Sequence, residues 1–208
     1  MPPLLLAGLL YLGSGIGLGL LLALRLLRTG TSQTGTALLI PRGEVRWLLG
    51  AILSGGVLAP ALLMVGLSGT SAAAASLLLN VEGVLTAVLA WVVFKENADR
   101  RIVLGMVAIV GGGALLSWEP GSPTFSIGAL LIVAACFFWA VDNNLTRKVS
   151  TNDAMLIACL KGLLAGTGNT ALAMASGAQL PALSLLFSSL LVGFFGYGLS
   201  LMLFVVAL

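Results

Sequence analysis

Glu82 and Lys161 are the side chains whose chemistry fits least with their surroundings. Glu82 lies in "LLLNVEGVLTAVLAWVVFKEN", residues 77–97, where no further charge appears before Lys95, and Lys161 lies in the apolar run "LIACLKGLLAG", residues 156–166. A charged group at the centre of a bilayer costs on the order of 2.5–3.5 kcal/mol, so each should face protein or a wet cavity. There the carboxylate can hold an amine or exchange a proton, and the ammonium can balance it or hold a carboxylate. A Glu82–Lys161 pair that only fixes helix packing needs the same two residues, so both readings stand. Asn80 precedes Glu82 by two residues, a spacing that puts them on different faces of a regular helix. A break near Gly83 would let both address one ligand. Asp142 and Asn143, followed by Asn144, lie within a turn of the basic pair Arg147 and Lys148. They form either an interfacial polar cap or the mouth of a cavity walled by Trp139, which plain helix packing would also explain.

The elements that hold these residues are membrane spans. Hydrophobic residues make up 59% of the 208-residue chain and charged residues 8%, a balance that excludes a soluble core. Seven apolar segments qualify, 4–27, 47–67, 71–94, 102–118, 125–145, 154–176 and 183–208. Crossing about 30 Å of hydrocarbon takes about 20 helical residues, which leaves the fourth segment at the short limit. Lipid offers no partner to open backbone groups, and runs such as Leu4-Leu5-Leu6 lack the alternation of barrel strands. The fold class is therefore an all-α membrane protein, a bundle of about seven helices. On the helical rise, Glu82 and Lys161 reach depths within about 6 Å of each other.

Charge gives the sidedness. Nine of the ten basic residues fall in the first, third and fifth connections or at their edge, so loops 28–46, 95–101 and 146–153 are expected on the cytoplasmic side, most simply of the cell inner (plasma) membrane. Lys161 is the exception. Trp47, Trp91 and Trp118 sit near span ends, where indole rings favour the interface. This topology starts Met1 outside and the chain stops inside an apolar run, which leads to the expectation of a fragment cut at both ends. The net charge of +3 reflects this sidedness, and no nucleic-acid partner is expected. With no His, and with Cys136 and Cys159 inside apolar runs, the sequence points to no metal and no cofactor. Ser–His and catalytic carboxylate arrangements are likewise missing, which argues against an enzyme.

Two long patterns repeat. Residues 48–67, "LLGAILSGGVLAPALLMVGL", and residues 185–208, "LLFSSLLVGFFGYGLSLMLFVVAL", both run from a Leu pair through a Gly-bearing middle to a small residue followed by Leu, and these ends, Gly66-Leu67 and Ala207-Leu208, are offset by 141. Five spans per unit would set the two copies inverted in the membrane. Within α-helical runs, Gly13/Gly17, Gly15/Gly19 and Gly162/Gly166 form GxxxG pairs suited to close helix contact.

The run "TSAAAASLLLNVEGVLTAVLAWVVFKENADRRIVLGMVAIVGGGALL" resembles the end of a repeat of the EamA family, within the drug/metabolite transporter superfamily. Its features are a small-residue entry, an Asn-x-Glu centre, a Phe-x-Glu exit and glycines in the next helix. "FFWAVDNNLTRKVS" resembles the opening helix of a second repeat and "GYGLSLMLFVVAL" its third. Gly83 stands where the family usually has proline, which makes a softer helix break. The resemblance implies a two-repeat inverted ten-helix fold, with residues 1–118 as a first repeat lacking its first helix and 119–208 as a second lacking its last two. It also implies a secondary transporter of small polar metabolites, with a small-molecule substrate, the lipid bilayer and protons as partners. Glu82, Lys161, Asn80, Asp142, Asn143 and Trp139 would line its path. A non-transporting membrane scaffold is the alternative. Nothing in the sequence fixes an oligomeric state.

Overall fold

The structure, a computed structural model, describes residues 1–29, 39–97, 99–116 and 126–208. Each of the seven apolar segments becomes helix: α1 (Pro3–Thr29), α2 (Arg42–Leu67), α3 (Ala72–Val92), α4 (Arg100–Leu116), α5 (Ile127–Arg147), α6 (Ala154–Ala175) and α7 (Leu183–Ala207). All but α4 are long and apolar enough to cross a bilayer; α4, at 17 residues, is the segment placed at the lower limit from sequence. Trp118, expected at its interfacial end, lies outside the described residues, as does the 30–38 portion of the first basic loop.

The chain packs as two compact units, residues 1–57 with 145–208, and residues 58–144. The chain leaves the first unit inside α2 and returns to it inside α5. These units differ from the repeats 1–118 and 119–208 read from the sequence, because packing groups helices that touch and a repeat groups helices of common pattern. Each unit would draw on both of those expected repeats.

In the first unit α1 is clasped on opposite sides by α6 and α7. A Cβ on Gly162 would stand 2.5 Å from the backbone nitrogen of Gly15, and one on Gly166 would stand 2.6 Å from that of Leu12. On the other side of α1, a Cβ on Gly13 would strike the backbone of Leu190 and one on Gly17 the ring of Phe194. The two GxxxG registers of α1 are offset by two residues, about 200° around a helix, which is why they serve two neighbours. Leu48, Ile52, Val149, Ile157, Ala165 and Val205 form the buried core beside this seam. At the basic end, Arg25 Nη1 donates to Asp153 Oδ2 at 2.7 Å, and Asp153 Oδ1 accepts from the Leu156 N–H at 3.0 Å, capping α6. Asn152 Nδ2 donates to Glu44 Oε2 at 2.6 Å and so ties the start of α2 to the same loop.

Two spans contain π-helical turns, Ile52–Leu58 in α2 and Gly193–Gly198 in α7. They begin 141 residues apart, the offset at which the two segments match in sequence.

The second unit has a smaller core of Ala75, Ile132 and Cys136, with Leu63, Leu78, Leu79 and Leu85 packed on it. Gly66, near the end of α2, lets the start of α5 approach: a Cβ there would stand 2.8 Å from the Gly128 carbonyl.

Candidate functional site

The polar centre of the second unit grows from an interruption in α3. That helix runs as Ala72–Leu79 and Val81–Val92, joined at Asn80. Asn80 Nδ2 donates to the Ser76 carbonyl at 3.0 Å, and its backbone N–H bonds Leu77 at 3.2 Å. An asparagine side chain that captures a helical carbonyl competes with the backbone ladder and loosens it. The Leu78 carbonyl keeps a backbone N–H at the cap and is also met by the thiol of Cys136 on α5, 3.6 Å away. The break expected at Gly83 therefore falls three residues earlier. Gly83 is helical and exposed, and a methyl group added there would meet no atom within 4 Å.

This shift matters for Glu82, which now occupies the first turn of the half-helix Val81–Val92. Glu82 is half-buried, and its Oε1 accepts from Asn143 Nδ2 at 3.0 Å. The same amide nitrogen lies 3.2 Å from Thr86 Oγ1, so one asparagine of α5 spans two groups a single turn apart on α3. Asn144 adds a parallel tie: its Nδ2 donates to the carbonyls of Thr86 at 3.1 Å and Ala140 at 2.9 Å.

The expected site residues thus divide. Glu82 and Asn143 meet. Asn80 is exposed and engaged with its own helix, so it shapes the backbone rather than sharing a face with Glu82. Asp142 and Asn144 are 7% and 4% exposed, and Asn143 and Asn144 bridge to α3, so this trio packs against protein near the end of α5. Trp139 is half-buried on the same helix. Lys161 belongs to the first unit, where it is 3% exposed and donates from Nζ to Thr146 Oγ1 at 2.9 Å. Two residues escaped the sequence reading. Thr86 follows Glu82 by four residues, a spacing that puts it on the same face. Asn169, fully buried on α6, donates to the carbonyl of Gly56 in the π turn of α2 at 2.6 Å; a mid-span amide eight residues after Lys161 was its signal.

A many-helix membrane protein with carboxylate, amide and hydroxyl gathered at a broken span is the class that fold and site define. Within that class, the model of the EamA-like transporter family matches residues 1–118, more than half of the chain, and the chain belongs to that family. An uncharacterised transporter from Methanothermobacter thermautotrophicus is 34% identical over 133 residues, 61% of this chain. The matched stretch spans 39% of that relative's length. A solved crystal structure superposes on 99% of this chain and 69% of its own with a TM-score of 0.73; at 16% identity it speaks for the fold alone.

Proposed function

We propose that the protein is a secondary carrier of a small polar metabolite, with Glu82 as the group that binds a substrate amine or a coupling proton. The observation that supports this reading is the Glu82–Asn143–Thr86 cluster inside the spans of an EamA-family chain. An ionisable group kept within a membrane at a helix interruption is the arrangement many carriers use to hold substrates and ions. Asn143 keeps the carboxylate oriented while its second oxygen stays available to a ligand. Alternating access between two inverted repeats fits the π turns that recur at the 141-residue offset. The basic loops face the cytoplasm in this reading, and the membrane is the plasma membrane. A carrier also fits the family match better than an enzyme does.

Reconstituted vesicles loaded with a pH-sensitive dye provide the test, with free amino acids as the first probe set. Glu82→Gln keeps the shape and the Asn143 contact but removes the charge. Proton-linked uptake should fall at least about tenfold with Glu82→Gln, the loss of a charge-assisted contact worth more than ~1.4 kcal/mol. Undiminished flux would remove Glu82 from the mechanism.

A further inference from the structure

Away from the polar cluster, the second unit carries a cleft of about 350 Å³ lined by Trp91, Arg100, Val103 and Leu104. It lies where α3 ends and α4 begins, beside the connection that holds Lys95, Arg100 and Arg101 against Glu96 and Asp99. Its lining is apolar apart from the contribution of Arg100, and Trp91 and Leu104 are 52% and 69% exposed. Span ends mark the boundary between hydrocarbon and headgroups, where tryptophan settles by preference. We propose that this cleft is a lipid site that takes an anionic glycerophospholipid of the adjoining leaflet, its phosphate on Arg100 and the upper part of an acyl chain against Trp91, Val103 and Leu104.

The chemistry of the walls selects this occupant. A free inorganic anion would use the guanidinium and leave three apolar walls wet. A purely apolar partner, such as a helix of a second copy, would cover the walls but bury the Arg100 charge, which is costly without a counter-ion. A phospholipid has both parts in the right order along the membrane normal. The planar guanidinium matches two phosphate oxygens at once, and basic pockets at the cytoplasmic ends of spans are a recurrent way of holding acidic headgroups. The volume sits at the low end of the roughly 300–1,000 Å³ typical of ligand sites, enough for a headgroup and the first part of a chain. This site is independent of the transport reading, since it requires only that the helices span a bilayer.

Tryptophan quenching in vesicles tests it. The protein is reconstituted in phosphatidylcholine containing a fixed minority of phosphatidylglycerol, with bromine on the chains either of the phosphatidylglycerol or of an equal amount of phosphatidylcholine. Subtracting the signal of Trp91→Phe isolates Trp91. Brominated phosphatidylglycerol should quench Trp91 about fivefold more effectively than brominated phosphatidylcholine, the enrichment that one basic residue supports at an acidic surface. Arg100→Gln should bring the ratio to one, and Arg100→Lys, which keeps the charge without the fork, should leave it intermediate. Equal quenching in the unaltered protein overturns the proposal. So does a ratio that neither Arg100 variant lowers. Quenching by neither lipid means that a protein surface covers the cleft, and loss of the preference on adding inorganic phosphate means that the site takes a free anion; either result also overturns it.

Discussion

α1 and α3 are comparably apolar spans with opposite surroundings. Of the apolar window of α1, 44% is buried within the protein, against 6% for α3. Apolarity therefore put both helices in the membrane but did not decide what each one touches. Lipid chains are as apolar as leucine, so helices associate through close backbone approach and polar contacts. α1 has the first: glycines on two faces, each opposed by the backbone or ring of a neighbour. α3 has the second: a few hydrogen bonds to α5 from Glu82, Thr86 and the carbonyls around its break. The contacts of α1 thus rest on shape, and the contacts of α3 with α5 rest largely on polarity.

The largest expected effect would break this contrast at the glycine seam. Gly162→Leu or Gly166→Leu pushes side-chain atoms into the backbone of α1 and should destabilise the first unit by about 1–3 kcal/mol or more. Gly105→Leu on α4, where an added carbon meets nothing within 4 Å, should change stability by less than about 0.5 kcal/mol. The two buried free thiols supply separate readouts: Cys159 contacts the Gly15 carbonyl in the first unit, and Cys136 lies in the second. In single-cysteine variants heated with a thiol-reactive dye, the seam variants should expose Cys159 at a lower temperature. Exposure of Cys136 alone would contradict the division.

An intermediate effect separates two partners in one contact at the end of the first unit. Asp153→Ala removes both the Arg25 ion pair and the cap of α6, and should cost about 1–2 kcal/mol. Arg25→Ala removes the pair but leaves the cap of α6; the arginine side chain is 48% exposed, so the change should cost no more than about 1 kcal/mol, a difference that shrinks in high salt. Equal costs in thermal unfolding would mean that the cap contributes nothing. The smallest effect concerns the end of α3. Lys95 has φ 55°, a conformation that an L side chain adopts at a cost of about 1 kcal/mol. Lys95→Gly should raise the unfolding temperature of the second unit slightly, read through Cys136, and a decrease would show that the lysine side chain holds the turn by other contacts.

The spans were legible because apolar runs of bilayer length admit few other structures, and even the short α4 fell where its sequence put it. The double seam of α1 was also legible, since interleaved GxxxG pairs two residues apart must face opposite ways. Glu82 stood out by charge. Its partner in the structure is Asn143, however, because depth along a span says nothing about which helix lies beside which. The break was misplaced for a related reason. Glycine is the weakest helix former apart from proline, but the interruption sits at an asparagine whose side chain takes a carbonyl, beside a cysteine thiol of another helix that reaches the turn only after α3 and α5 have met.

The interlocking of α1 between α6 and α7 also limits how this part of the molecule can move. A slide of one residue along either contact would bring a side chain such as Ile16 or Lys161 to a place shaped for glycine, and the same slide would jam the opposite contact at once. These three rods are keyed together like teeth in a lock, so they must travel as one body, and any bending in a working cycle has to be sought in segments without such keys.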